Sequence, residues 1–171
     1  MGRPLLFMLI ALAGAGPAMA EAPGPDGVYR RGLEDIRAGR LEAAQATAQT
    51  MLSAQPRQAA ARQLMGLVKL KRGDLAGALM EFDRALALDP DFIAAREERA
   101  VTLARLGQAR RARVDLDALK TREAACAKAC PPELRPAVSR VEAALAAARP
   151  SGLLKNAAAT DIAPDRAEGA L

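Results

Sequence analysis

Two cysteines, Cys126 and Cys130, and the absence of any histidine among 171 residues set most of the chemistry open to this chain. Thiols four positions apart can close a disulfide, cycle as a redox dithiol, or join a metal or haem site. A redox dithiol ordinarily has two residues between its thiols at a helix N-terminus, and here Ala127, Lys128 and Ala129 intervene. A structural metal site needs further thiolate or imidazole ligands, and haem attachment needs a following histidine. The chain offers neither. In an oxidising compartment a structural disulfide is the default reading of the pair, and a thiol-disulfide accessory role stays open beside it.

A second set with chemistry in it is a column of cations. Arg37, Lys71 and Arg105 recur every 34 residues and can line a groove that reads carboxylates. Cations at the C-terminal end of a helix are also favoured by its dipole, so both readings stand. Nothing else points to catalysis. Without histidine there is no Ser-His-Asp triad, and no phosphate-cradling glycine loop is present. Glu34 and Asp35, or Glu97 and Glu98, are neighbours on predicted helices and are expected to point in different directions. The expectation is a chain with no enzyme activity, no cofactor and no metal.

The elements that must position these residues announce themselves by the same 34-residue step. Gly32, Gly66 and Ala100 form one column of small residues, Gly39, Gly73 and Gly107 a second, and Ala44, Ala78 and Ala112 a third. That is the period of stacked helix-turn-helix units. Helix backbones approach closely where a side chain is nearly absent, which places the first column at helix-helix contacts. The second column falls where a left-handed residue can end a first helix. The third lies on the second helix, facing back.

At these residues the chain resembles the tetratricopeptide repeat (TPR) family. The middle unit carries most of the likeness, in Met65-Gly66, Gly73-Asp74, Ala78 with Phe82, Ala85-Leu86 and Leu88-Asp89-Pro90. The first unit has Gly32, Gly39-Arg40-Leu41, Ala44, Leu52 and Pro56; the third has Ala100, Leu106-Gly107, Ala112 and Leu116, without the closing proline. Where the family often has large aromatics on the first helix, this chain has Val28, Arg62 and Arg96, then Asp35, Lys69 and Leu103. Its apolar first-helix residues fall one place later, at Leu33, Leu67 and Val101, followed by Ile36, Leu70 and Ala104. The resemblance implies a peptide or partner helix held against the concave first-helix face, with Tyr29, Arg37, Gln63, Lys71, Glu97 and Arg105 as candidate contacts by helical phase.

Beyond the cysteines, Leu134, Val138, Val141, Leu145 and Ala148 make one amphipathic stripe. A solenoid needs its last apolar face covered, and this helix is placed to do that. The fold expected is all-α: a short TPR-like helical-hairpin solenoid of about three repeats, near 25–58, 59–92 and 93–124, with a capping helix over 132–148. Residues 21–26 are expected as a linker before a helical domain spanning 27–148, and residues 149–171 as a disordered tail.

The N-terminus bears on location. Arg3 precedes an apolar run from Leu5 to Ala15, a Gly16-Pro17 break and Ala18-Met19-Ala20, the pattern of a signal peptide over 1–20 cleaved after Ala20. The run is short for a transmembrane helix. Export to a bacterial periplasm is expected, the bacterial source resting on the look of the alanine- and arginine-rich repeats. Aromatics are 2 percent of the chain and hydrophobic residues 51 percent, so the core must be alanine, leucine, valine and methionine, with few platforms for stacking bases or sugars. The net charge of +5 falls to +4 when Arg3 leaves with the leader. Nucleic acid is not an expected partner. Arg105, Arg110, Arg111, Arg113, Lys120 and Arg122 concentrate late, giving either a solvated helix face or, as an alternative, a surface for anionic lipid. A three-unit array is short, which leaves self-association open.

Overall fold

Three near-identical turns organise the chain. The first helix, α1 (Pro25–Arg37), ends at Gly39, α3 (Ala59–Lys71) at Gly73 and α5 (Ile93–Arg105) at Gly107, and these glycines have φ of 74°, 83° and 73°. A side chain is strained in that left-handed region, which glycine enters freely. In each turn the glycine N–H reaches a carbonyl three residues back, at Ile36, Leu70 and Ala104. The next N–H reaches one five residues back, at Asp35, Lys69 and Leu103. That paired pattern satisfies carbonyls the helix end would leave orphaned. The second helices follow at once: α2 (Leu41–Ala54), α4 (Leu75–Leu88) and α6 (Ala109–Cys126). Asp74 caps α4 by accepting from the Gly77 N–H at 2.8 Å.

In this computed structural model residues 25–126 and 129–148 are described, and they form these six helices and α7 (Leu134–Ala147), without strands. The expected leader, its cleavage point and the tail over 149–171 lie outside the described residues. The expected linker overlaps the fold at its end, because α1 opens at Pro25. Proline is well placed at a first helical position, and Asp26 in the first turn complements the helix dipole. Among the described residues no helix is long and apolar enough to cross a membrane.

Each first helix packs on its own second helix, α2 on α3 and α4 on α5, and α1, α3 and α5 touch in sequence as one layer. Helix α7 closes the array against α5 and α6. The chain is therefore an all-α, TPR-like helical-hairpin solenoid. Ala44, Ala78 and Ala112 are wholly buried. A Cβ added at Gly66 would lie 2.5 Å from the Phe82 ring, and one at Gly32 would lie 2.4 Å from a Leu64 methyl. The core divides into one cluster over α1 to α4, around Leu64, Val68 and Phe82, and another over α5 to α7, around Leu103, Leu119, Leu134 and Val141. Only Ala85, Leu86 and Ala95, with Phe92, form the small cluster between them.

Arginine where the repeat often has an aromatic is answered by a carboxylate 19 residues on. Arg62 donates to Glu81 at 3.4 Å, and Arg96 to Asp115 at 3.5 Å, one 34-residue step apart. Glu81 also accepts from Lys69 at 3.0 Å and Arg84 at 2.9 Å. Asp115, 1 percent exposed, accepts from Arg99 at 2.9 and 2.5 Å, while Arg99 holds Asp83 on α4 at 2.9 Å. In the first unit these positions are Val28 and Thr47, and Asp35 pairs instead with Arg40. At the far end Cys126, the last residue of α6, is paired with Cys130 across a Cα–Cα separation of 5.0 Å.

Candidate functional site

The layer of first helices carries a polar network built from one register position and its neighbours. Tyr29 of α1 donates its hydroxyl to Gln63 Oε1 of α3 at 2.8 Å, one 34-residue repeat on. The next member of that column, Glu97 of α5, is taken by α7: both its oxygens accept from the Arg140 guanidinium. Gln63 and Glu97 are thus 2 and 6 percent exposed. Of the six residues expected as surface contacts, these two are corrected to buried members of an internal network. Helical phase put them on the right face, but a neighbouring helix covers them there.

Glu98 joins this network although its place beside Glu97 in the sequence argued against it. It is half-buried; its carbonyl accepts from the Thr102 hydroxyl at 2.7 Å, while its carboxylate has no hydrogen bond or ion pair among the described residues. Burial raises its pKa first and the Glu97 charge adds to that, while Arg140, Arg105 and Lys71 pull the other way. Adjacent helix positions diverge by about 100° of rotation, which still leaves both carboxylates within reach of the same cations. Tyr29 feels Glu98 as well. Its hydroxyl pKa is pushed up to about 12, chiefly by burial and then by Glu98, with Arg37 opposing.

Arg37, Lys71 and Arg105 lie in the last turns of α1, α3 and α5 and are exposed. None of them is ion-paired among the described residues. Beside Arg105 a groove of about 540 Å³ runs between α5 and α7, lined by Val101, Ala104, Ala144, Ala147 and Ala148. A larger groove, about 600 Å³, opens between α1 and α2 around Val28, Arg31, Thr47 and Thr50, and its buried carboxylate, Asp35, is already held by Arg40. The first-helix face therefore combines three free cations with an apolar trough, an arrangement suited to a segment bearing both carboxylates and aliphatic side chains. Among the described residues no three histidine, cysteine or acidic side chains gather where they could hold a metal.

Two functional candidates, Glu98 and Arg140, had no signal in the sequence. Glu98 follows Arg30 and Leu64 at the repeat step, so no column marks it, and Arg140 sits on a helix outside the period.

No protein-family model matches the chain, and no curated protein sequence matches it. Among solved structures it is similar to SycD, the type III secretion translocator chaperone of Yersinia enterocolitica, with a TM-score of 0.57 and 19% identity over 77% of this chain and 89% of that one. The likeness is one of fold, and it falls on the helical-hairpin repeat architecture.

Proposed function

We propose that this chain is a non-enzymatic protein-interaction scaffold of the bacterial periplasm, holding a peptide or helix of a partner along its first-helix face. The observation that carries the reading is the row of unpaired cations, Arg37, Lys71 and Arg105, beside the α5–α7 trough. The likeness in fold to a translocator chaperone supports it. The apolar leader with its small-residue cleavage pattern supports export, and a Cys126–Cys130 bond formed there would fasten the end of α6 to the segment entering α7.

The test is affinity capture of the mature chain from its own cell envelope beside an Arg37→Ala, Lys71→Ala, Arg105→Ala variant, followed by rebinding of the purified partner. Exposed charge pairs contribute roughly 0.2 to 1 kcal/mol each, so losing three should weaken binding at least about threefold. A partner that binds both proteins equally would move the site off this face. The mass of the mature chain checks export, with Glu21 expected as its first residue.

A further inference from the structure

We infer that the α5–α7 trough and the cation row are the docking site of the chain's own C-terminal segment, residues 149–171, which occupies the face when no partner is bound. This rests on the proposed reading of the face and names the chemistry of what it takes.

The trough ends on Ala147 and Ala148, the last residues described, so the segment leaves from the mouth of the groove it would fill. Leu153 and Leu154 follow five and six positions later. That much chain reaches about 17 to 20 Å, while packed helix axes lie about 8 to 10 Å apart, so the leucine pair can turn back onto Val101 and Ala104. Arg149 and Lys155 flank the leucine pair, and beyond residue 160 the segment turns acidic, with Asp161, Asp165 and Glu168 against Arg166. Asp161 lies thirteen residues beyond Ala148, up to about 43 Å of extended chain. Successive first helices at about 8 to 10 Å spacing put Lys71 and then Arg37 well inside that reach.

The order of features agrees with the face, and the charge agrees with it beyond residue 160. The apolar pair meets the trough beside Arg105, and the carboxylates come later, in the direction that runs from α5 to α3 to α1. Arg140 is neutralised by Glu97, and Glu98 is one unpaired negative charge against three unpaired cations, so the face remains net positive. A partner that displaces the segment would then need the same two features, an aliphatic pair and spaced carboxylates.

Zero-length carbodiimide cross-linking of the full mature chain tests this, because it joins only lysines and carboxylates in direct contact. The Lys120–Glu142 ion pair, 2.6 Å apart, is the internal control. The expected result is a Lys71 cross-link to Asp161, Asp165 or Glu168 within one chain, reduced at least tenfold in a Leu153→Ser, Leu154→Ser variant. Neither leucine belongs to a described helix, and the far-ultraviolet helix signal of the variant checks that the fold is kept. Three results would overturn the inference: a control cross-link with no Lys71 product, a Lys71 product unaffected by the serines, or a product that joins two isotopically distinct chains. Any of these leaves partner capture by the same face standing, so the two ideas fail separately.

Discussion

Tyr29 reports on the candidate site without any label. It is the only tyrosine and the chain has no tryptophan, so phenolate absorbance during an alkaline titration comes from this one side chain. Folded, its pKa is pushed up to about 12 against an ordinary value of 10. The fold therefore favours the neutral phenol, which is the form that donates to Gln63. The associated stability is fully present below pH 10 and is lost as the pH rises from 10 to 12. Two pKa units correspond to about 3 kcal/mol, and partial exposure of the ring lowers that to about 2 kcal/mol. The assay follows phenolate absorbance and the far-ultraviolet helix signal together, in buffer and in denaturant. The expected midpoints are near 12 in the folded chain and near 10 in the unfolded one. Glu98→Gln should lower the folded midpoint and Arg37→Ala should raise it, because those charges act in opposite senses. A folded chain, helix signal intact, that titrates at 10 would refute the reasoning and remove Tyr29 and Glu98 from a common site.

Asp115→Ala leaves Arg99 and Arg96 without their buried acceptor. Breaking such a pair costs about 3 to 5 kcal/mol, and because Arg99 keeps Asp83 the expected loss by chemical denaturation is about 2 to 3 kcal/mol. Glu98 has a folded pKa above its unfolded one, so its ionisation weakens the fold as the pH rises past its usual range; Glu98→Gln should raise the melting temperature at pH 7 and lose that advantage below the carboxylate range. Gly66→Ala meets the buried Phe82 ring and Gly32→Ala the wholly buried Leu64 side chain, so thermal and chemical denaturation should show each costing about 1 to 3 kcal/mol. Reducing the Cys126–Cys130 pair opens a very short loop and should cost about 2 kcal/mol, with amide exchange rising at the end of α6 and the start of α7 while α1 to α4 are unchanged.

The repeat was legible because its cause is steric. A left-handed turn favours glycine at 39, 73 and 107, a ring packed against the helix leaves no room for a side chain at Gly66, and full burial between helices suits the alanines at 44, 78 and 112, so these residues show the geometry directly. What was illegible depends on pairs. Arg62 and Arg96 read as departures from an aromatic pattern, since each makes sense only with Glu81 or Asp115, 19 residues away on another helix. Gln63 and Glu97 fall on the correct face by phase, but phase carries no information about what lies over that face. Glu97 is covered by Arg140, from a helix outside the 34-residue period. The divergence of Glu97 and Glu98 at adjacent helical positions is a rule about direction, and it says nothing about how far a cation's field extends in a half-buried setting.

Charge placement then separates architecture from recognition. Every buried carboxylate of the repeats has a cation assigned to it: Glu81 has three, Asp115 two, Asp35 and Glu97 one each. Most of these pairs join one helix to another, as Arg62 and Lys69 of α3 do with Glu81 of α4, and removing one partner should be felt in stability. Arg37, Lys71 and Arg105 join nothing. Their position at helix C-termini contributes about 0.3 to 1 kcal/mol each through the dipole, a small term that the exposed last turn of each helix screens further with salt. A residue type held at one register position in three repeats, for so little structural return, is free to be replaced without unfolding the array. For that reason the triple-alanine variant discriminates: its helix content and melting should stay close to those of the native chain, and a loss of partner binding in it is then a loss of recognition.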